Sequence, residues 1–138
     1  MEYKFGKSLE TGNAKIDEQH KQLFDTINTI IKESEQGRGK DEIYKTLNFL
    51  NQYTIMHFKT EEDLQKEYGF PGYEAHKKFH DDFRAKVKDL TNTLIEKGPV
   101  KELIDTAAQT VGDWLVTHIT GNDIAMAAYL KSKGATGA

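Results

Sequence analysis

Apolar residues recur in alternating steps of three and four along most of the chain, which is the period of a helix with one buried face. This pattern predicts four helices, at about 17–35, 41–67, 73–96 and 99–131. Glycine and proline separate them at 37–39, 69–72 and 98–99. Residues 1–16 lack the helical period and predict an N-terminal arm. Long amphipathic helices with short connections favour an all-α fold, an up-down-up-down four-helix bundle formed as one domain over 1–138.

Two residues are candidates for the starts of these helices. Asp17 is of a type that caps helix N-termini, because its carboxylate accepts hydrogen bonds from the free N–H groups of the first turn. Pro99 suits the first position of the fourth helix, where its missing N–H has no partner to lose. We therefore expect the first helix to begin near residue 17 and the fourth near residue 99.

The composition narrows the classes of function. Cysteine is absent, which excludes disulfides, thiolate catalysis, iron–sulfur clusters and cysteine-based zinc sites. The net charge is −3 and the chain has no Lys/Arg-rich block, so nucleic-acid binding is not indicated. No apolar run approaches the roughly 20 residues of a membrane span, and the first residues lack the apolar stretch of a secretory leader. We therefore expect a cytoplasmic monomer without membrane or nucleic-acid partners.

All five histidines fall on the core-facing stripes of the predicted helices, together with one glutamate. These residues are His20, His57, Glu61, His76, His80 and His118. A single buried histidine is commonly a core residue satisfied by hydrogen bonds. Five of them beside a carboxylate indicate a metal site, because an unpaired buried carboxylate costs several kcal/mol and no Lys or Arg lies on the same stripes. Imidazole and carboxylate suit iron, and zinc is the main rival on ligand type alone.

The spacing of these residues brings them to one level of the bundle. His57 and Glu61 are four residues apart, as are His76 and His80, so each pair projects from one face of its helix. The first pair lies toward the end of its helix and the second near the start of the next. If these two helices are antiparallel neighbours, the two pairs lie side by side. His20, near the start of the first helix, and His118, toward the end of the fourth, lie at the same level of the bundle.

Asp123 lies five residues after His118, and spacing alone leaves open whether it is a seventh ligand or a solvated carboxylate near a helix end. A regular helix directs side chains five residues apart about 140° away from each other, which suits convergence poorly. We therefore expect the fourth helix to widen into a π-type turn between them, eased by Gly121. A regular helix whose axis passes close beside the metals is the alternative.

Four segments of the chain resemble motifs of the hemerythrin family, in particular its stand-alone bacterial members. Residues 12–20 resemble the family's lead into the first helix, and residues 57–62 match its HFxxEE segment. His76 to His80 matches the HxxxH pattern, and His118 to Asp123 matches HxxxxD. The resemblance covers nearly the whole chain, and all seven ligand positions of the family are present.

The resemblance implies a non-haem di-iron centre and a role for each ligand. One iron would be bound by His76, His80 and His118, and the other by His20 and His57. Glu61 and Asp123 would bridge the two irons, together with an oxo or hydroxo group. One coordination position would stay open on the two-histidine iron, and O₂ would bind there.

The resemblance also implies a pocket around the bound O₂. Four apolar residues flank the ligands and would form a dry wall that resists autoxidation, although plain core packing explains each of them equally well: Phe58, Trp114, Leu115 and Ile119. The family commonly has methionine four residues after the bridging glutamate, where this chain has Gln65. The Gln65 amide either lies near the bridge, where a water on it favours autoxidation, or turns to solvent.

Three functions fit such a centre. The first is reversible O₂ binding for transport, storage or scavenging, with a reductase or an O₂-consuming enzyme as a partner. The second is a di-iron enzyme, namely a peroxidase, an oxidase or an NO-detoxifying reductase, and the third is an O₂ or redox sensor that acts through a partner. Ferritin-like oxidases use carboxylate-rich sites, whereas five imidazoles and two carboxylates favour binding without catalysis. Seven ligands exceed the four of a usual zinc site, while manganese in place of one iron stays open.

Overall fold

The computed structural model describes residues 2–137, which form an all-α, up-down-up-down four-helix bundle. The first three helices of the bundle are α1 (Ala14–Glu35), α2 (Lys40–Glu67) and α3 (Tyr73–Lys97). The fourth consists of α4 (Lys101–His118), a π-helical turn (Ile119–Asp123) and α5 (Ile124–Ser132). A short 3₁₀ turn, Lys7–Leu9, lies in the arm. The α1 helix packs on α2 and α4, and α3 closes the bundle against the same two helices.

The first helix begins at Ala14, earlier than predicted, because Asn13 rather than Asp17 caps it. The Asn13 side-chain oxygen accepts a hydrogen bond of 3.1 Å from the backbone N–H of Ile16. Asp17 lies inside the first turn, where its carboxylate accepts from the backbone N–H and the hydroxyl of Thr11 at 2.9 and 2.7 Å. The prediction that Asp17 is the cap was therefore wrong, and Asp17 fixes the arm instead.

The fourth helix begins at Lys101, two residues later than predicted, with Val100 in the N-cap position. The backbone N–H of Val100 donates to the carbonyl of Gly98 at 2.9 Å, and Val100 itself is extended. Pro99 therefore belongs to the connection between the helices. The prediction that it occupies the first position of the fourth helix was wrong. Gly98 has a φ of 89° and a ψ of 157°, a backbone conformation that is essentially restricted to glycine.

The N-terminal arm crosses the groove between α1 and α4 and is fixed there by Tyr3. The backbone of Tyr3 exchanges two hydrogen bonds with the Asn28 amide, at 2.8 and 2.6 Å. Its ring stacks on Phe24, and its hydroxyl donates to Asp113 at 2.9 Å. A Cβ at Gly112 would lie 2.2 Å from the ring, so this close approach of the arm requires glycine at that position.

The core contains two apolar clusters, one on each side of the polar level of the bundle. The larger cluster extends from Leu23 and Leu115 toward the end of the bundle at which α1 ends. The smaller one packs Ile16 against Met126 and Leu130. Because the seven predicted ligands lie between these clusters along the bundle axis, apolar side chains enclose them from both ends. None of the helices in the described part of the chain is long and apolar enough to span a membrane.

Candidate metal centre

All seven predicted ligand side chains converge in the interior, and none is more than 4% exposed. The α1 helix supplies one, α2 and α3 supply two each, α4 supplies one, and the π-helical turn supplies the last: His20, His57, Glu61, His76, His80, His118 and Asp123. Such a concentration of buried polar groups from four helices does not arise from helix packing alone, since each group loses its hydration.

The seven side chains form two groups that share both carboxylates. Within each group, one donor atom from every member lies within 4.8 Å of all the others. The larger group contains three histidines, His76, His80 and His118, with Glu61 and Asp123. The smaller group contains two histidines, His20 and His57, with the same two carboxylates. The arrangement therefore offers two adjacent positions for metal ions.

The two oxygens of Glu61 face different groups. Oε2 lies 3.0 Å from Nε2 of His57 and 3.4 Å from Nε2 of His20. Oε1 lies 3.3 Å from Nε2 of His76 and 3.2 Å from Nε2 of His80. Since each oxygen addresses a separate pair of imidazoles, the carboxylate has the orientation of a bridge between two metal positions.

The two oxygens of Asp123 also face different groups. Oδ2 lies 3.0 Å from Nε2 of His20, in the two-histidine group. Oδ1 lies 3.0 Å from Nε2 of His76 and 3.1 Å from Nε2 of His118, in the three-histidine group. The two carboxylates therefore flank the space between the groups.

Several buried atoms of the cluster lack the partner that a metal ion would provide. The Nε2 atoms of His76 and His118 face each other at 3.2 Å. Among residues 2–137, five atoms of these seven side chains have no hydrogen bond of acceptable geometry. One is the outer His20 Nδ1, and the other four belong to the two donor groups: His20 Nε2, His80 Nε2, Glu61 Oε2 and Asp123 Oδ1. Each unsatisfied buried group costs roughly 1–3 kcal/mol. A cation between these atoms would satisfy all of them together, so the donor set fits metal ions.

Electrostatics within the cluster favour charged carboxylates. Burial lowers the pKa of His20 and of His76, but the nearby Asp123 and Glu61 outweigh it and raise each pKa to about 9. Burial raises the pKa of Glu61, yet contact with His57 and the other imidazoles holds it well below its usual value. In the metal-free chain, protons on imidazoles therefore balance the carboxylates, and a metal ion takes over that role on binding.

The fourth helix widens between His118 and Asp123, as their spacing predicted. Residues Ile119–Asp123 are π-helical, and the backbone N–H of Ile124 donates to the carbonyl of Ile119, five residues back. The extra residue in the turn rotates Asp123 toward His118 and excludes the alternative of a regular helix. Gly121 is exposed and a Cβ there would contact nothing, so sterics do not require the predicted easing by glycine.

Three polar residues that sequence reasoning missed hold the outer nitrogens of ligand imidazoles. Gln19 Oε1 lies 2.7 Å from Nδ1 of His57, and Glu62 Oε2 lies 2.8 Å from Nδ1 of His80. The Asn122 amide nitrogen, Nδ2, lies 3.3 Å from Nδ1 of His118. Gln19, Glu62 and Asn122 each adjoin a predicted ligand in the chain, and Glu62 is also the last residue of the HFxxEE segment.

The four residues predicted to wall an O₂ pocket lie beside the cluster in two different ways. Phe58 stacks on His80 with ring centres 3.8 Å apart, and Trp114 stacks on His118 at 4.5 Å. Leu115 and Ile119 are fully buried in the larger apolar cluster. The two aromatic rings thus pack on imidazoles of the three-histidine group, and the pocket role of all four residues stays a prediction.

Gln65 is completely buried, so the alternative that it turns to solvent was wrong. Neither its amide nitrogen nor its amide oxygen has a hydrogen-bond partner in the described part of the chain. Gln65 lies one helical turn beyond Glu61, at the level of the smaller apolar cluster.

Comparison with known proteins identifies the family. The model of the family described as "Hemerythrin HHE cation binding domain" matches residues 11–130. The chain is 37% identical to a bacteriohemerythrin of Methylococcus capsulatus over 103 residues, which is 75% of this chain and 76% of the relative. It is 33% identical to a hemerythrin-like protein of Naegleria gruberi over 88% of each chain. A crystal structure of wild-type hemerythrin superposes with a TM-score of 0.81 at 30% identity, covering 93% of this chain and 97% of the other. The chain therefore belongs to the hemerythrin family.

Proposed function

We propose that this protein binds O₂ reversibly at a non-haem di-iron centre. The observation that carries the proposal is the pair of donor groups that share Glu61 and Asp123, since each carboxylate directs its two oxygens to different groups. Histidine and carboxylate ligands suit iron, and seven of them exceed the four ligands of a usual zinc site.

The division of ligands makes the two metal positions unequal. His76, His80 and His118 with the two carboxylates offer five protein ligands to one iron, while His20 and His57 with the same carboxylates offer four to the other. A solvent-derived oxo or hydroxo group as a third bridge would complete six ligands only at the first position. Two bound irons would supply the electrons that hold O₂ reversibly, and the two-histidine group, which offers fewer protein ligands, would leave a position for it.

Residues of the chain keep the site ordered and dry. Gln19 accepts from Nδ1 of His57 and so directs Nε2 toward the carboxylates, because a metal-bound imidazole carries its proton on the other nitrogen. Leu115 and Ile119 exclude water on one side of the level, and Ile16 and Met126 do so on the other. Exclusion of water disfavours the loss of bound O₂ as superoxide or peroxide.

Reversibility is the property that separates binding from enzymatic turnover. Anaerobically reduced, iron-loaded protein is mixed with O₂, the visible spectrum is recorded, and the O₂ is then removed. We expect a coloured oxygenated form that disappears on deoxygenation and returns on a second exposure. The zinc-loaded protein, with the same fold and ligands, is the control and stays colourless. Immediate irreversible oxidation with continued O₂ consumption would support the di-iron enzyme instead.

A further inference from the structure

The outer nitrogen of His80 contacts an anion, whereas those of His57 and His118 contact neutral amides. Glu62 Oε2 lies 2.8 Å from Nδ1 of His80, and the Glu62 side chain is only 12% exposed. The corresponding partners of His57 and His118 are Gln19 and Asn122. A carboxylate on the outer nitrogen makes an imidazole a stronger electron donor to a metal than an amide does.

Arg84 contacts the same carboxylate from the outer side. Its Nη2 donates to Oε2 of Glu62 at 3.2 Å, which is the oxygen that faces His80. Its Nη1 donates to Asp81 at 2.6 Å, which fixes the guanidinium in place. The guanidinium also lies 5.2 Å from the centre of the Phe58 ring, which stacks on His80 at 3.8 Å. Arg84 therefore reaches His80 through both the carboxylate and the ring.

The two charges have opposite effects on the imidazole. The Glu62 carboxylate attracts the Nδ1 proton and increases electron density at Nε2, which stabilises the more oxidised iron. Arg84 competes for the same oxygen and places a positive charge near the ring, which opposes that effect. Arg84 is 30% exposed, but Glu62 is mostly buried, so solvent screens their contact only in part.

We propose that Glu62 and Arg84 are positioning residues that set the reduction potential of the metal centre through His80, Glu62 lowering the potential and Arg84 raising it. The proposal rests on the metal part of the proposed function, namely that His80 binds iron. It does not depend on whether the centre carries O₂ or catalyses a reaction. A structural role alone for the two residues would not produce effects of opposite sign.

The test is a redox titration of iron-loaded wild-type protein and variants, followed by the visible absorption of the oxidised centre. Glu62→Gln keeps a hydrogen-bond acceptor for His80 but removes the charge, and Arg84→Leu removes the guanidinium but keeps an apolar side chain at that position. Lys88→Leu is the matched control, because Lys88 is exposed one turn along the same helix and makes no ion pair in the described part of the chain. Arg84→Lys keeps the positive charge but lacks the two guanidinium nitrogens that donate to Asp81 and Glu62. Iron content is measured for each.

We expect Glu62→Gln to raise the potential and Arg84→Leu to lower it. Each change corresponds to about a tenfold shift in the ratio of oxidised to reduced centre, which is about 59 mV for a one-electron couple. Lys88→Leu leaves the potential unchanged and Arg84→Lys lies between wild type and Arg84→Leu. Equal shifts in one direction, or shifts no larger than that of Lys88→Leu, would overturn the proposal. If Glu62→Gln lost iron, Arg84→Leu would decide alone. Wild-type protein that binds no iron would instead refute the proposed function.

Discussion

At the scale of single residues, Gln65 is the side chain whose chemistry matches its surroundings least. It is completely buried one turn beyond Glu61, and both atoms of its amide lack partners in the described structure. An amide in that position costs roughly 1–3 kcal/mol unless a water or a side chain satisfies it. A water bound there would lie near the carboxylate bridge, where it would assist the loss of bound O₂.

Replacement of Gln65 by methionine tests this account. Methionine has a similar length and no polar hydrogen, so Gln65→Met should raise the free energy of unfolding by about 1 kcal/mol. The oxygenated visible band should also decay several-fold more slowly at fixed temperature and pH. Gln52→Met is the control, because Gln52 is exposed on the same helix. Unchanged or faster decay together with lower stability in Gln65→Met would refute the account.

Ligand and pocket residues should respond differently to substitution. His76→Ala removes a ligand from the three-histidine position and leaves both carboxylates without one partner, so we expect loss of most of the iron and a lower melting temperature. Leu115→Val changes only the apolar side of the site, so iron content should stay at the wild-type level while the O₂ dissociation rate changes. Comparable iron loss in both variants, measured after identical loading, would show that these roles are wrongly assigned.

At the scale of secondary-structure elements, the sequence predicted local structure best where side-chain geometry favours one backbone conformation. Side chains five residues apart converge poorly from a regular helix, which favoured the π-helical turn that the structure shows at Ile119–Asp123. The start of α1 was not predictable in the same way, because Asn13 and Asp17 have similar capping propensities and only tertiary contacts with the arm select Asn13. The contacts of Glu62 and Arg84 also escaped prediction, since they join different helices.

Two glycines of the fourth helix should respond oppositely to alanine. Gly121→Ala introduces a Cβ that contacts nothing, so it should raise the free energy of unfolding by about 0.5–1 kcal/mol and leave the iron content unchanged. Gly112→Ala places a Cβ 2.2 Å from the Tyr3 ring and should lower stability by about 1–3 kcal/mol as the arm is displaced. Chemical denaturation measures both. Iron loss in Gly121→Ala would mean that the π-helical turn does depend on glycine.

At the scale of the whole molecule, the metal centre replaces apolar packing at one level of the bundle. The candidate ligands come from every helix of the bundle, and the apolar clusters on either side of them cannot compensate for the unsatisfied buried groups. We therefore expect metal binding and helix packing to be coupled, since the native bundle should bind the ions far better than the unfolded chain does.

This coupling predicts a clear difference between the metal-free and iron-loaded forms. Removal of iron by a chelator under reducing conditions should lower the melting temperature while most of the helical circular dichroism is retained below the transition. Reconstitution with iron should restore the original melting temperature, which controls for damage during removal. Identical melting temperatures for the two forms would contradict the view that the cluster is built around metal ions.

The number of iron atoms bound per chain tests the central claim most directly. The two donor groups share Glu61 and Asp123, so both positions should fill together rather than one after the other. Elemental analysis of fully loaded wild-type protein, with the protein concentration measured independently, should give two iron atoms per chain. Asp123→Ala, which removes a shared ligand, should lose both. A value near one iron per chain in fully loaded wild-type protein would contradict the di-iron account.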